Sequence, residues 1–122
     1  MSYNPYWGLI GFPAGDGTGG AVTQQTSKAT GVTLNKRCGQ ITMNAAALAA
    51  GAEVAFTVTN STVAATDVPV VCVQSVGTAG AYLVGIGAVA NGSFSITVSN
   101  ASAGSLSQAL VLNFLIIKSA AT

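Results

Sequence analysis

A chain of 122 residues with seven formally charged side chains and no histidine is long enough for one domain and a modest core. Charged residues make up 6% of it, against about 25% in an ordinary soluble domain, so Ser, Thr, Asn, Gly and Ala must form much of its surface, as suits a protein that hides surface in an assembly. A net charge of +1 gives no basic footprint for nucleic acid, no apolar run reaches the ~18 residues of a membrane helix, and the lack of His removes the usual general base, the Ser-His-Asp triad and the commonest metal ligand.

Residues 1–20 read as an extended N-terminal arm with a Gly-rich linker, and residues 21–122 as a β domain. Tyr3, Tyr6, Trp7, Leu9, Ile10 and Phe12 stand among Asn4, Pro5, Gly8, Gly11 and Pro13, with no helical or strand period. Gly15, Gly17, Gly19 and Gly20 supply a flexible connection. A solvated tail would lack aromatics, so these six side chains are expected to contact another subunit or a partner protein; packing on their own domain is the alternative.

From Ala21 the chain reads as short strands separated by turns. Ala21 to Gln25, Thr30 to Leu34 and Gly39 to Met43 are candidates, the last two flanking a turn at Asn35–Cys38. Lys36 and Arg37 in that turn form an isolated basic pair, read as solvated rather than as a phosphate site. Asn44 to Gly51 is the single helical candidate, with Asn44 able to cap one or two turns and Gly51 able to end them. Glu53 to Thr59 alternates, with Val54, Phe56 and Val58 on one face. Asp67 to Val73 follows, and Pro69 places it at a sheet edge. Ala81 to Ile86 leads to an Asn91-Gly92 turn. Ser93 to Val98 alternates again, with Phe94, Ile96 and Val98 inward.

The closing run, Ala109 to Lys118, is apolar on both faces. Leu110, Leu112, Phe114 and Ile116 fill one, and Val111, Asn113, Leu115 and Ile117 the other. A buried helix is the rival reading, but β-branched and aromatic content favours a strand covered on both sides. One cover is the facing sheet. A neighbouring subunit is the simplest source of the other, which makes Val111, Leu115 and Ile117 a candidate self-association interface. The expected fold is therefore all-β: a β-sandwich, barrel or jelly roll with one short helical turn.

Sites of chemistry are sparse. Asp16, Glu53 and Asp67 are the only carboxylates, and a glycosidase-like pair would require Glu53 and Asp67 to meet in space. The glycines before Ala21 lack the Lys-Ser/Thr of a phosphate-binding loop, and Gly85-Ile86-Gly87 does not open a helix, so no cofactor is implied. Cys38 and Cys72 match no zinc or redox spacing and read as free, buried thiols rather than a disulfide. Asn60, Asn91 and Asn100 each begin an Asn-X-Ser/Thr triplet, and without a secretory signal these carry no weight as glycosylation sites. The chain is expected to bind or build rather than to act as an enzyme.

Thr30-Gly31-Val32-Thr33-Leu34-Asn35-Lys36, the run from Gly39 to Gly51, and Ser102-Ala103-Gly104-Ser105-Leu106-Ser107 before the closing strand resemble small structural or fibre-associated modules of tailed bacteriophages. The likeness is closest to capsid cement (decoration) proteins, those of cyanophages included, and covers about Ala21 to Lys118. The resemblance implies a non-enzymatic homotrimer of sandwich or jelly-roll fold. It would sit on the virion's outer capsid surface, with the major capsid protein as partner, after synthesis in the host bacterial cytoplasm. Neither a membrane, nucleic acid, cofactor nor small-molecule substrate is implied. The competing class is a receptor-binding or fibre-associated module, and for a carbohydrate-binding version of it Trp7, Tyr82 and Tyr3 are the available stacking platforms.

Overall fold

The computed structural model describes Phe12 and residues 17–121. The chain is all-β, with eight strands in two mixed four-stranded sheets and no helix among the described residues. The strands are β1 (Gly19–Thr23), β2 (Val32–Thr33), β3 (Cys38–Thr42), β4 (Glu53–Thr59), β5 (Val68–Ser75), β6 (Tyr82–Ala90), β7 (Ser93–Asn100) and β8 (Val111–Ile117). The first sheet has the order β1-β3-β8-β5 and the second β2-β4-β7-β6.

The chain visits the sheets alternately until β6. Strand β1 therefore returns to pair with β3 in parallel only after β2 has been laid in the other sheet, and β2 pairs with β4 in the same way. The remaining pairings, β3–β8, β4–β7, β5–β8 and β6–β7, are antiparallel. The two parallel pairs depart from a jelly roll, whose strands run antiparallel throughout.

Period-two patterning fixes which side chains enter the core. Phe56 and Val58 of β4, Phe94, Ile96 and Val98 of β7, Ile41 of β3, and Leu112, Phe114 and Ile116 of β8 are all buried. The rings of Phe94 and Phe114, one from each sheet, lie 5.5 Å apart at 59°, so the sheets share one core. A tilted pair of this kind adds about 0.5–1.5 kcal/mol beyond its area burial.

Two expectations are corrected. Residues Asn44 to Gly51 form no helical turn. Leu48 is instead held extended against Leu106 by backbone hydrogen bonds in both directions, at 2.8 and 3.1 Å. Asn44 still uses its capping chemistry, since its Oδ1 accepts from the Ala46 N–H at 2.8 Å. Burying Leu48 in the shared core outweighs the weak helical preference of a short Ala run. Secondly, Gly19 and Gly20 belong to β1 rather than to a linker. Gly20 pairs with Gly39, and a Cβ on Gly39 would lie 2.7 Å from the Gly20 carbonyl oxygen, so this strand contact needs glycine.

Pro69 sits on β5, an edge strand as expected. The Asn91-Gly92 connection joins β6 and β7, with Gly92 at φ +86°. A bulge interrupts the same hairpin between Ile86 and Val89, where Ser95 Oγ accepts from the Ala88 N–H at 2.8 Å.

Candidate interaction surface

Each sheet has one face in the core and one face outside, and the two outer faces differ in chemistry. In the second sheet, alternation puts Thr57 and Thr59 of β4 and Ser93, Ser95, Thr97 and Ser99 of β7 outward. Hydroxyls dominate that surface. Glu53 shares it and accepts a 3.4 Å hydrogen bond from Ser99 Oγ, while Leu83 of β6 is its exposed apolar residue, at 65%.

The outer face of the first sheet follows from the register. Cys38 pairs with Leu115, Gln40 with Asn113 and Thr42 with Val111. On the other side of β8, Val68 pairs with Ile117, Val70 with Leu115 and Cys72 with Asn113. On β1, Gly19, Ala21 and Thr23 align with Cys38, Gln40 and Thr42. None of these side chains is charged. The half formed by β1 and β3 carries small and polar groups, whereas the half formed by β8 and β5 is apolar apart from Asn113 and from Ser75, which pairs with Val111. Val68, Val70 and Ile117 are 49, 46 and 48% exposed, and Leu115 lies half-buried between them.

Val111, Leu115 and Ile117 thus share one outward face, with Val111 half-buried like Leu115. Val68, Val70 and Cys72 of β5 complete that face and were not singled out from the sequence. The signal was present: Val68, Val70 and Cys72 alternate with Pro69 and Val71 beside a proline-marked edge. In the middle of the face, Asn113 Oδ1 is shielded from solvent and has no hydrogen-bond partner among the described residues. An orphaned acceptor of this kind costs about 1–3 kcal/mol.

Of the arm residues, Phe12 is 39% exposed; Tyr3, Tyr6, Trp7, Leu9 and Ile10 lie outside the described residues, as does Asp16. Tyr82 is buried, at 8% exposure, so it offers no stacking platform. Its hydroxyl has no partner among the described residues, and burial pushes its pKa up. Both cysteines are free, but Cys72 is exposed and Cys38 only half-buried, which corrects the expectation of two buried thiols. They flank β8 on opposite sides, opposite Leu115 and Asn113; two strand spacings and a two-residue stagger put them about 12 Å apart, beyond the ~7 Å Cα limit for a disulfide within one chain.

The ionisable groups serve the loops. Asp67 accepts from Lys118 Nζ and from the Ala64 N–H, and these contacts hold its carboxyl below the usual range. Glu53 and Asp67 do not form a pair: each has its own partner. Lys28 is buried, and its amine donates to the carbonyls of Asn44 and Gln108, the latter at 2.6 Å. Desolvation lowers its pKa. Lys36 Nζ donates to the Gly17 carbonyl at 3.3 Å, and Arg37 is exposed. Among the described residues, no three His, Cys, Asp or Glu side chains cluster as metal ligands, and no helix is long and apolar enough to cross a membrane.

Asn60 and Asn100 prove to be structural. Both are fully buried at strand ends. The Asn60 amide donates to the Lys36 carbonyl, and its Oδ1 accepts from Thr62 N–H and Oγ1. The Asn100 amide donates to the carbonyls of Leu48 and Gly104, and its Oδ1 accepts from Ser102 N–H and Oγ. Comparison with known proteins finds no matching family model, curated protein or solved structure.

Proposed function

We propose that this chain is a non-enzymatic structural protein of a virion, a β-sandwich that binds the outer capsid surface of a tailed phage as a homotrimer and stabilises the shell. The observation that carries the reading is the uncharged outer face of β8 and β5, where Val68, Val70 and Ile117 stand about half exposed. An apolar, charge-free strand pair at a sheet edge marks a surface made for contact with protein. The partners are further copies of the chain and the major capsid protein. A trimer suits the threefold and quasi-threefold positions of a capsid lattice, and several weak contacts to neighbouring capsid subunits add by avidity. The resemblance in the runs Thr30–Lys36, Gly39–Gly51 and Ser102–Ser107 supplies the virion context.

A count of copies in purified particles tests this. Hundreds per virion are expected of a cement protein, while a few dozen or fewer would assign the chain to a tail fibre or receptor-binding tip. Burial of Tyr82 weakens that second reading by removing one of its three candidate sugar platforms.

A further inference from the structure

We infer that the apolar half of the first sheet's outer face is the docking site for residues 3–12 of a neighbouring copy of this chain. The inference rests on the self-association part of the proposed function, but not on binding to a capsid.

Area is the first argument. The four-stranded face is about 14 by 17 Å, far less than the ~800 Å² that each side of a standard interface buries. Packing this face against its like would fall short. Tyr3, Tyr6, Trp7, Leu9, Ile10 and Phe12 supply what is missing, since each aromatic can bury about 150–250 Å².

Position is the second. The N-terminal residues join the domain at Gly19, on β1, the edge opposite β5. Gly19 aligns through Cys38 and Leu115 with Val70, so β1 is entered in the row of that apolar patch. Gly17 and Thr18 still run beside β3, their carbonyls accepting from Lys36 Nζ and from the Arg37 and Cys38 N–H groups. Strands β1 and β5 are about 14 Å apart, and the five steps from Gly17 back to Phe12 span up to about 17 Å when extended. A chain crossing its own face would lay residues 13–16, which contain no large aliphatic or aromatic side chain, over that face. It would bring Phe12 to the far edge and carry the residues before it past that edge, where another copy's patch can receive them.

Chemistry is the third. The orphaned Asn113 Oδ1 lies in the row next to Leu115 and Val70, and a docked segment brings backbone N–H donors to it. The absence of charge from the face matches a segment that has no charged side chain between Ser2 and Gly15.

Two native reporters allow a test on the full chain. Trp7 is the only tryptophan, and Cys72 is exposed on the patch itself. At high protein concentration, Trp7 emission should be blue-shifted. Alkylation of Cys72, followed in a Cys38→Ser background, should be at least about tenfold slower than in the dissociated chain, equivalent to a cover worth ~1.4 kcal/mol or more. Dilution should release both signals together with dissociation of the oligomer. Val70→Asp should leave Trp7 red-shifted and Cys72 reactive at every concentration while circular dichroism stays native; Val70→Ser replaces it should the Asp variant not fold. A blue-shifted Trp7 in a monomer would overturn the inference in favour of the chain's own face. A stable oligomer with Trp7 exposed or Cys72 fully reactive would overturn it in favour of another surface. None of these readouts involves a capsid, so failure to decorate particles would sink the virion reading alone.

Discussion

At the residue scale, the polar groups that matter most are buried asparagines rather than the few charges. Asn100 satisfies two carbonyls and two donors from a site with no solvent access. Asn100→Ala should cost at least about 1–3 kcal/mol for the groups it orphans, or a Tm fall of about 4–12 °C in a domain of this size. Asn60→Ala should behave alike, whereas Asn91→Ala, at an exposed position that accepts a single bond from the Ala65 N–H, should cost under about 1 kcal/mol. Thermal melts of the three variants check the ranking, and equal effects would contradict it. Asp67 is expected to contribute to the acid limb. Its folded pKa is depressed by Lys118 and the Ala64 N–H, so its stabilisation is complete above the unfolded carboxyl pKa of ~3.9 and is lost as pH falls through the folded value. Asp67→Asn should lower Tm at neutral pH and flatten its decline as pH falls below the unfolded carboxyl value. A parallel decline in wild type and variant would show that other groups set the acid limb.

At the scale of elements, β8 is the strand on which both sheet faces turn. Its inward residues complete the core, and its outward residues form the candidate interface. Leu115→Asp places a carboxylate in the centre of that interface. In an assembled trimer it would cost several kcal/mol or shift its pKa strongly, whereas in the separate chain it reaches water. Analytical ultracentrifugation should therefore find folded monomers, and a variant that still sediments as a trimer would remove this face from the interface. The strands were legible in the sequence because period-two alternation in Glu53–Thr59 and Ser93–Asn100 is imposed by a single buried face. The doubly apolar run of β8 has no such alternation and was legible as a strand from its β-branched and aromatic content. The connection from Asn44 to Gly51 was not, because its extended form depends on Leu106, almost sixty residues away. Nor were the parallel pairs β1–β3 and β2–β4, which follow from the order in which the chain visits the sheets and leave no mark on local periodicity. Val68 and Val70 were read as part of an edge strand but not as interface residues, because what joins them to Leu115 and Ile117 is the β5–β8 register, which local sequence does not carry. Buried Lys28 was also invisible, since its two carbonyl acceptors come from Asn44 and Gln108, far away in the chain.

At the scale of the whole molecule, the scarcity of charge and the division of the outer faces point the same way. One face presents hydroxyls to solvent, the other presents Val68, Val70, Leu115 and Ile117, and the N-terminal residues carry the remaining large apolar groups. Removing residues 2–15 separates folding from assembly. Among the described residues, every buried core residue, from Val32 to Ile116, lies outside the deleted stretch, and β1 begins at Gly19, so the truncated chain should keep its circular dichroism spectrum and a cooperative melt. Assembly should suffer, because apolar burial contributes about 25 cal/mol per Å² and several anchors of ~150–250 Å² each would be lost. Those anchors also offset the ordering cost of a short segment, about 1–2 kcal/mol per residue for its backbone. Ligand-free stability provides a second readout through mass action: the Tm of an assembling chain rises with protein concentration, and that of a monomer does not. The full chain should show the rise and the truncated chain should lose it, along with binding to particles stripped of the native protein. A truncated chain that keeps the concentration dependence and decorates particles as tightly as the full chain would show that residues 2–15 contribute nothing to assembly, and that the outer face of β8 and β5 is closed by other means.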